Sequence, residues 1–299
     1  MDTFRYFILA HAVDASSHAH GSWLTQWNWD PLILPSLTLM SVLYATGLRV
    51  MWRRAGAGHG VTRGQAAGFA VAMAALVAAL ISPIDGLSNE QAWVHMIQHM
   101  LIMMVAAPLF VLGAPLRVMP WALPARGRLS LGRWQHAFNR WPPRPYLLWQ
   151  PIAMWFLYAV ALWVWHVPAL YEAALHHNLI HDAQHLTFFI ASCLFWRVLL
   201  DPLSRLRLNL GLGVIYLFAT SLHASVLGVL LALSPAAWYA PYQATAARWP
   251  LSALEDQQVA GLIMWMPVCT IHAAVAAAMF ALWMRQMQRT QAPALVRTP

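Results

Sequence analysis

The chain has 299 residues, of which 60% are hydrophobic and 9% are charged, and its formal net charge at pH 7 is +8. Soluble domains carry about 25% charged residues, so this composition excludes an ordinary soluble domain. The apolar residues come in runs of about 20, the length of a helix that crosses the hydrocarbon core of a bilayer. Because backbone in contact with lipid has to satisfy its own hydrogen bonds, the sequence predicts an all-α polytopic membrane protein.

The first part of the chain, residues 1–30, has a mixed composition and contains His11, His18 and His20. We expect it to be an exposed, solvated segment. Seven predicted membrane spans follow it in chain order, at residues 31–52, 65–82, 91–113, 147–167, 178–200, 211–234 and 257–284.

The distribution of charge predicts the orientation of these spans. All eighteen Lys/Arg positions are arginine, and sixteen of them fall on one side of the predicted membrane, whereas nine of the ten acidic residues fall on the other. Loops rich in basic residues stay in the cytoplasm, so we predict a seven-transmembrane-helix bundle with its N-terminus outside and its C-terminus inside. The membrane domain then covers residues 31–285, its basic loop 114–146 is cytoplasmic, and residues 286–299 form a cytoplasmic tail.

The same distribution argues against nucleic acid as a partner, because the arginines follow the topology of the spans. Loop 114–146 carries six of them, and residues 129–141 within it have the composition of an amphipathic helix. Such a helix lies in the membrane interface and attracts anionic headgroups, so membrane lipid is the partner we predict for this loop.

Two pairs of histidines are the most informative feature of the apolar spans. His95 and His99 lie in the third span, and His181 and His185 lie in the fifth. Residues four apart lie on the same face of a helix, so each pair presents two imidazoles together. Both pairs fall in the outer half of the predicted bundle, at similar depth. Ionisable side chains inside a membrane are functional candidates, and we predict that the four rings share a metal site facing the interior of the bundle.

Three further histidines are candidate ligands because of their depth. His166 lies at the outer rim of the fourth span, whereas His223 in the sixth span and His272 in the seventh lie nearer the middle of the membrane. A single histidine in a membrane helix often serves as a hydrogen-bonding residue between helices, and this alternative stays open for each of the three.

The ligand types favour copper as the metal. Neutral imidazole binds copper, zinc, iron and nickel, while thioethers select Cu(I), and Met96 and Met100 accompany the first pair. Haem is the main alternative cofactor, although a spacing of four residues rises only about 6 Å and so allows one bis-histidine haem rather than two stacked ones. Zinc hydrolase chemistry is disfavoured because neither pair encloses a glutamate that would act as general base.

Several polar residues near the pairs have predicted supporting roles. Asp182 follows His181 and is the acid we favour for fixing an imidazole tautomer, a role that metal-bound histidines commonly need. Tyr239 and Tyr242 lie in an outer loop and are predicted to belong to an interfacial aromatic belt. Cys193 and Cys269 lie in separate apolar runs and are predicted to be buried, unpaired thiols, with metal binding by either one left open.

Seven short motifs occur in order between residues 82 and 265. They are Ser82-Pro83-Ile84-Asp85, His95-Met96-Ile97-Gln98-His99-Met100, Ala107-Pro108 with Gly113 and Pro115, Trp165-His166 with Pro168 and Tyr171, His181 with His185, Tyr239 with Tyr242, and Asp256-Gln257-Gln258 with Gly261, Met264 and Trp265. In their order and spacing these motifs resemble the membrane-integral CtaG family of cytochrome c oxidase assembly factors.

The resemblance implies a non-enzymatic protein of the bacterial inner (plasma) membrane that helps to mature a haem–copper oxidase. It implies copper binding in the periplasmic half of the bundle and delivery of the metal to oxidase subunits, with residues 1–30 exposed to the periplasm. The histidines that match the family pattern are His95, His99, His166, His181 and His185, whereas His223 and His272 are candidates from depth alone. The resemblance leads us to expect an acid just before the second histidine of the fifth-span pair, but this chain has Gln184 at that position.

Two other functions remain as alternatives. A membrane redox protein would bind haem through one histidine of each pair. A metal transporter would need polar groups that continue to the inner side of the membrane, and the inner halves of the predicted spans are almost wholly apolar. The transporter therefore ranks below the redox protein.

Overall fold

The structure is a computed structural model that describes residues 27–140, 149–201 and 207–295, and every regular element in these ranges is helical. The helices are α1 (Ile33–Ala55), α2 (Arg63–Leu80), α3 (Pro83–Ser88), α4 (Ala92–Met100), α5 (Ala107–Leu112), α6 (Pro115–Val118), α7 (Ala125–Arg140), α8 (Trp149–Trp165), α9 (Pro168–His176), α10 (Asn178–Leu200), α11 (Leu210–Ala232), α12 (Ala240–Thr245) and α13 (Ala253–Leu295). A π-helical segment, Leu101–Ala106, joins α4 to α5 without a break, and short 3-10 turns follow α6 and α12.

The all-helical, multi-span prediction is confirmed in its coarse form. Six helical stretches are long and apolar enough to cross a membrane: α1, α2, the stretch Ala92–Ala122, α10, α11 and α13 up to Arg289. The predicted fourth span corresponds to α8, which is followed by α9 at a bend of 74°, and this bent pair would make a seventh crossing. The predicted N-terminal histidines and the end of the basic loop, residues 141–146, lie outside the described residues.

Local sequence signals explain where several helices begin. Thr62 and Gln65 form a reciprocal capping box at the start of α2, each side chain bonded to the backbone N–H of the other. Ser82 accepts from the N–H of Ile84 and is followed by Pro83 at the first position of α3. Because a residue before proline avoids helical angles, Val167 is extended (ψ 126°), and this ends α8 and starts the bend into α9.

The π-helical segment begins two residues after His99, and its backbone is hydrogen-bonded to a side chain of α10. A π-helical turn displaces the usual i→i−4 pattern and often marks a functional region. The carbonyl oxygen of Met103, in this segment, accepts a hydrogen bond of 3.0 Å from the indole N–H of Trp196 on α10. Both side chains are buried, so this bond fixes the two histidine-bearing helices against each other.

Among the described helices, α11 and α13 form the most extensive contact, and small residues let their backbones approach closely. A Cβ atom placed on Gly261 would lie 2.5 Å from the backbone nitrogen of Ala232 and 2.7 Å from the carbonyl oxygen of Gly228. Glycine at such a crossing lets two backbones pack at a distance that any side chain would prevent. The position matters to the site because Asp256, five residues earlier on α13, caps α4.

We expect Gly261→Ala to destabilise the bundle by about 1–3 kcal/mol or more, because the added methyl group meets backbone atoms that cannot yield without separating α11 from α13. Thermal unfolding of the purified protein in detergent measures the effect. Gly132→Ala on α7 is the matched control, since an added Cβ there meets no described atom within 4 Å. An unchanged unfolding midpoint for Gly261→Ala would contradict the packing described above.

We call the end of the bundle where arginines gather the basic end. These arginines lie in the last turns of α1, at the start of α2, and in α6 and α7. A helix is present where the amphipathic segment was predicted, although it begins earlier, at Ala125. Trp121 is flanked on its ring faces by the guanidinium groups of Arg54, at 5.8 Å, and Arg128, at 4.5 Å. These cation–π contacts hold two arginines at the surface of this end. Beyond it, α13 has 43 residues and a length of about 65 Å, roughly twice the hydrocarbon thickness of a bilayer.

Candidate metal site

The two predicted histidine pairs meet at one end of the bundle, which we call the histidine end. The rings of His95 and His99 on α4 have centroids 4.4 Å apart, and those of His181 and His185 on α10 have centroids 4.2 Å apart. Across the two helices, the His95 ring lies 5.3 Å from His181, and the His99 ring lies 5.5 Å from His185. All four side chains are buried, with exposed fractions between 0 and 7%. The structure therefore brings together the residues that sequence spacing paired.

His166 adds a fifth ring from a third direction. It stands at the end of α8, where Pro168 starts the bend, and its ring centroid lies 6.2 Å from that of His99. Its Nδ1 is 2.7 Å from the carbonyl oxygen of Leu162. Because a carbonyl only accepts hydrogen bonds, Nδ1 carries the proton in the neutral ring, and Nε2 keeps a free lone pair.

Ligand atoms in this cluster lie close enough for one ion to bridge them. One potential ligand atom from each of His95, His99 and His185 lies within 4.8 Å of those of the other two, and the same is true of Asp85, His181 and His185. Nitrogen ligands sit about 2.0 Å from an ion such as zinc, so two ligands of one ion are about 3–4 Å apart. Small rotations of the rings would close this difference. His185 belongs to both groups.

The ring nitrogens that face the cluster have no hydrogen-bond partner among the described residues. They are Nε2 of His95, both nitrogens of His99, Nε2 of His166, Nε2 of His181 and both nitrogens of His185. The buried amide of Gln184 stands beside His95. Each buried polar group left unsatisfied costs about 1–3 kcal/mol. A metal ion is a fitting partner for lone pairs gathered in this way.

The hydroxyl group of Tyr242 favours one tautomer of His95. The Tyr242 hydroxyl lies 2.9 Å from the carbonyl oxygen of Ser88, to which it donates its single proton. It therefore accepts from its other neighbours, the hydroxyl of Tyr171 at 3.2 Å and Nδ1 of His95 at 3.4 Å. His95 then carries its proton on Nδ1 and directs the Nε2 lone pair to the cluster, as metal-bound histidines held by a second partner do.

The tyrosines form a buried layer over the histidines, and the interfacial-belt prediction for Tyr239 and Tyr242 was wrong. Both side chains are 2% exposed. The rings of Tyr171 and Tyr239 are stacked at 3.8 Å, and the Tyr171 ring lies 4.9 Å from that of His95. Tyr171 belongs to α9, Tyr239 directly precedes the short helix α12, and Tyr242 belongs to α12. Burial raises the pKa of Tyr242 well above its ordinary value, which keeps its hydroxyl protonated.

The acid with an oxygen within ligand distance of the cluster histidines, among the described residues, is Asp85. Oδ2 of Asp182, the acid predicted to fix an imidazole tautomer, has no hydrogen-bond partner among these residues. Asp85 lies in the first turn of α3, accepts hydrogen bonds from the amides of Gln98 (2.7 Å) and Asn28 (2.8 Å), and is 8% exposed. Its burial raises the pKa of its carboxyl group to about 7, despite these two hydrogen bonds. In the sequence this acid stands two residues after Pro83, and only the fold of α3 brings it to the histidines.

The other acids at this end hold helices in place. The Asp256 carboxylate on α13 accepts from the backbone N–H groups of Ala92 and Trp93, at 2.8 and 3.0 Å, and so caps α4 from a different helix. A buried carboxylate at a helix N-terminus also interacts favourably with the helix dipole. Glu172 accepts from the N–H of Ala240 at the start of α12 in the same way. These caps position the histidine helix and the tyrosine layer.

The structure does not bring His223 and His272 to the cluster. The His223 ring packs against Trp155 at 5.1 Å, and Nδ1 of His272 lies 3.0 Å from the hydroxyl of Ser221. These contacts suit the alternative role of histidines that link membrane helices. Their ligand role remains a prediction from depth.

Met96 and Met100 each follow a cluster histidine by one residue, which turns them about 100° around the helix axis. Met96 is buried and Met100 is partly buried. Both cysteines are unpaired, as predicted, but they are partly rather than fully buried, and Sγ of Cys269 lies 3.0 Å from the hydroxyl of Ser225. The candidate metal groups among the described residues consist of histidines and Asp85.

Similarity to known proteins agrees with the motifs. The chain is 26% identical over 282 residues to uncharacterized proteins of Mycobacterium bovis and Mycobacterium tuberculosis, and 26% identical over 280 residues to one of Mycobacterium leprae. Each alignment covers 89% of this chain but 40% of the relative, so the chain spans about two fifths of the length of the curated relatives that it matches. No solved structure matches.

A family model described as cytochrome c oxidase caa3 assembly factor matches residues 42–286, which is most of the chain and includes the histidine end. The resemblance drawn from the seven motifs is thereby confirmed. The chain belongs to the family of cytochrome c oxidase caa3 assembly factors.

Proposed function

We propose that this protein is a non-catalytic assembly factor that binds copper in its histidine end and passes it to subunits of a haem–copper oxidase. The observation that carries the proposal is the convergence of unpartnered ring nitrogens from α4, α8 and α10 on one buried place. Family membership supports the oxidase as the recipient of the metal. Copper is the transferred ion in this proposal, and the protein supplies its ligands and the path by which it leaves.

The proposed setting is the bacterial inner membrane, with the histidine end open to the periplasm. The arginine distribution supports this orientation, because loops rich in basic residues stay on the cytoplasmic side of a membrane. Anionic lipid is the proposed partner of the basic end, where Arg54 and Arg128 lie at the surface beside Trp121. The oxidase subunits would dock at the opposite end.

Copper rather than haem fits the spacing of the rings. Within the described residues, the histidine rings of α4 and α10 are in contact across the helix pair, and Phe188 and Tyr171 pack against them, at 4.7 Å from His99 and 4.9 Å from His95. A porphyrin between the helices would have to separate these rings. A single ion needs only their rotation. Imidazole is a ligand for both copper and haem iron, so the preference for copper in this proposal is supported by the packing of the rings.

The test is metal analysis of the full-length protein purified in detergent and loaded with Cu(I). We expect His95→Ala and His99→Ala each to lower the affinity by about 100-fold, since each removes one of three ligands, which corresponds to about 2.8 kcal/mol. His176→Ala is the matched control, because His176 lies at the same end but is exposed. Copper binding that is unchanged in both cluster variants would contradict the proposal.

An absorption spectrum of the same preparation separates the haem alternative. A copper-binding protein without haem has no Soret band, whereas a bis-histidine haem protein shows one. A Soret band that disappears in His95→Ala would overturn the copper assignment. Oxidase activity in membranes of a deletion strain complemented with each variant then tests the assembly role, and wild-type activity with His99→Ala would contradict it.

A further inference from the structure

The cluster contains two groups of ligands of different chemistry that share one residue. Three imidazoles, those of His95, His99 and His185, form the first group, and the second combines His181 and His185 with the carboxylate of Asp85. We call these the imidazole position and the carboxylate position. The sequence spacing pairs His181 with His185 but does not indicate that Asp85 joins them.

The two positions differ in how strongly they would hold Cu(I). Imidazole is a good ligand for copper, whereas carboxylate oxygen is a hard ligand that suits magnesium, calcium and manganese better. Replacing one nitrogen by a carboxylate oxygen therefore weakens the hold on a soft ion. The imidazole position is the place where Cu(I) would rest, and the carboxylate position would bind it more weakly.

The two positions also differ in depth. His95 and His99 are 0% and 1% exposed, whereas Asp85 and His181 are 8% and 7% exposed. His181 lies in the first turn of α10, one turn nearer to the helix start than His185. Asp85 lies on α3, outside the long helices, and is bonded to Asn28 in the segment before α1. The carboxylate position is thus the nearer one to the surface of the histidine end.

The Asp85 carboxylate is held in place and still has lone pairs to offer. Its Oδ1 accepts from Gln98, which stands between the two histidines of α4, and its Oδ2 accepts from Asn28. A carboxylate oxygen can accept two bonds, so each oxygen keeps a lone pair. The Gln98 bond ties the carboxylate to α4, the helix that carries the imidazole position.

We propose that Asp85, His181 and His185 form a transit site through which Cu(I) enters and leaves the imidazole position. His185 stays bound to the ion during the exchange, while the bonds to His95 and His99 are replaced by bonds to His181 and Asp85. The ion keeps its charge and oxidation state, and only its ligands change. The inference rests on the proposed function, because it describes the route of the same copper ion.

A transit site has a kinetic signature. It lowers the barrier for entry and for exit equally, so its loss slows both rates and leaves the equilibrium affinity nearly unchanged. The experiment measures Cu(I) transfer between the full-length protein in detergent and a colorimetric Cu(I) chelator by stopped-flow absorbance, in both directions. For Asp85→Asn and for His181→Ala we expect loading and release to slow by about tenfold, with the affinity changed by less than about threefold.

Asp182→Asn is the matched control, since it removes one negative charge next to His181 from a side chain outside both ligand groups. We expect its loading and release rates to equal those of the wild type. Wild-type rates in both Asp85→Asn and His181→Ala would overturn the transit site, and so would equal slowing by Asp182→Asn, which would indicate a general charge effect. A thermal unfolding midpoint measured for each variant separates misfolding from a change in rate.

The outcomes also separate this inference from the function on which it rests. A wild-type protein that binds no Cu(I) contradicts the proposed function itself. A wild type that binds Cu(I) tightly, with a loss of affinity in His99→Ala and unchanged rates in Asp85→Asn and His181→Ala, leaves the function intact and contradicts the transit site alone.

Discussion

Replacing His185 with alanine is expected to lower the affinity for copper and also to slow its exchange, a combination that we expect of no other single substitution in the two ligand groups. His185 belongs to both groups of ligand atoms, whereas His99 belongs only to the imidazole position and His181 only to the carboxylate position. Loss of one nitrogen ligand lowers the affinity for Cu(I) by about 100-fold, or about 2.8 kcal/mol. In this variant the carboxylate position has also lost a ligand, so loading and release of the ion should slow in addition to the loss of affinity.

Equilibrium competition with a Cu(I) chelator and stopped-flow transfer, performed on the same preparation, measure the two effects. We expect His99→Ala to change the affinity, His181→Ala to change the rates, and His185→Ala to change both. His176→Ala, an exposed histidine at the same end, is expected to behave as the wild type. If His185→Ala retained wild-type affinity, the shared-ligand arrangement would be wrong, whatever the other variants showed.

The sequence carried enough information to predict the helical membrane fold and the four central histidines. Length and apolarity of a run determine whether it can cross a bilayer, and a spacing of four residues determines that two side chains share a helix face. Both properties are local, so His95 with His99 and His181 with His185 could be paired without coordinates. Placing the two pairs at the same depth needed only the predicted direction of each span.

The supporting residues could not be predicted because their positions depend on how short segments fold back. Asp85 stands in a six-residue helix whose sequence signal, Ser82 followed by Pro83, indicates a helix start and nothing about what the helix faces. Tyr242 stands in another six-residue helix, α12, and its side chain is buried beside the cluster. In both segments, tertiary packing determines what the side chain contacts, and the local sequence does not indicate that contact.

Depth was an incomplete guide for the remaining histidines. It describes the position of a residue along the membrane normal, but not the direction in which its side chain points around the helix axis. His166 points to the cluster because the proline bend after α8 directs it there, whereas His223 lies against Trp155 and His272 against Trp196. The direction of a side chain follows from helix packing, which no single span reveals.

Tyr242→Phe is expected to lower the Cu(I) affinity by about tenfold while leaving every metal ligand in place, as loss of a group that orients a bound histidine does. The Tyr242 hydroxyl accepts from Nδ1 of His95 and thereby keeps the proton off Nε2. Without this hydroxyl, the other tautomer, in which Nε2 carries a proton and cannot bind the ion, becomes less unfavourable. Affinity should fall because only a fraction of the rings is then in the binding form.

The control for this prediction is Tyr239→Phe, which loses a comparable hydrogen bond. Tyr239 donates to the carbonyl oxygen of His166 at 3.1 Å, as Tyr242 donates to that of Ser88 at 2.9 Å, so each variant leaves one buried backbone carbonyl without this donor. Only Tyr242 also bonds a ring nitrogen of the cluster. Both variants should therefore unfold at similarly lowered temperatures, with the affinity loss confined to Tyr242→Phe. Equal affinity losses in the two would mean that the tyrosine layer acts through packing alone and that the His95 tautomer is set by another group.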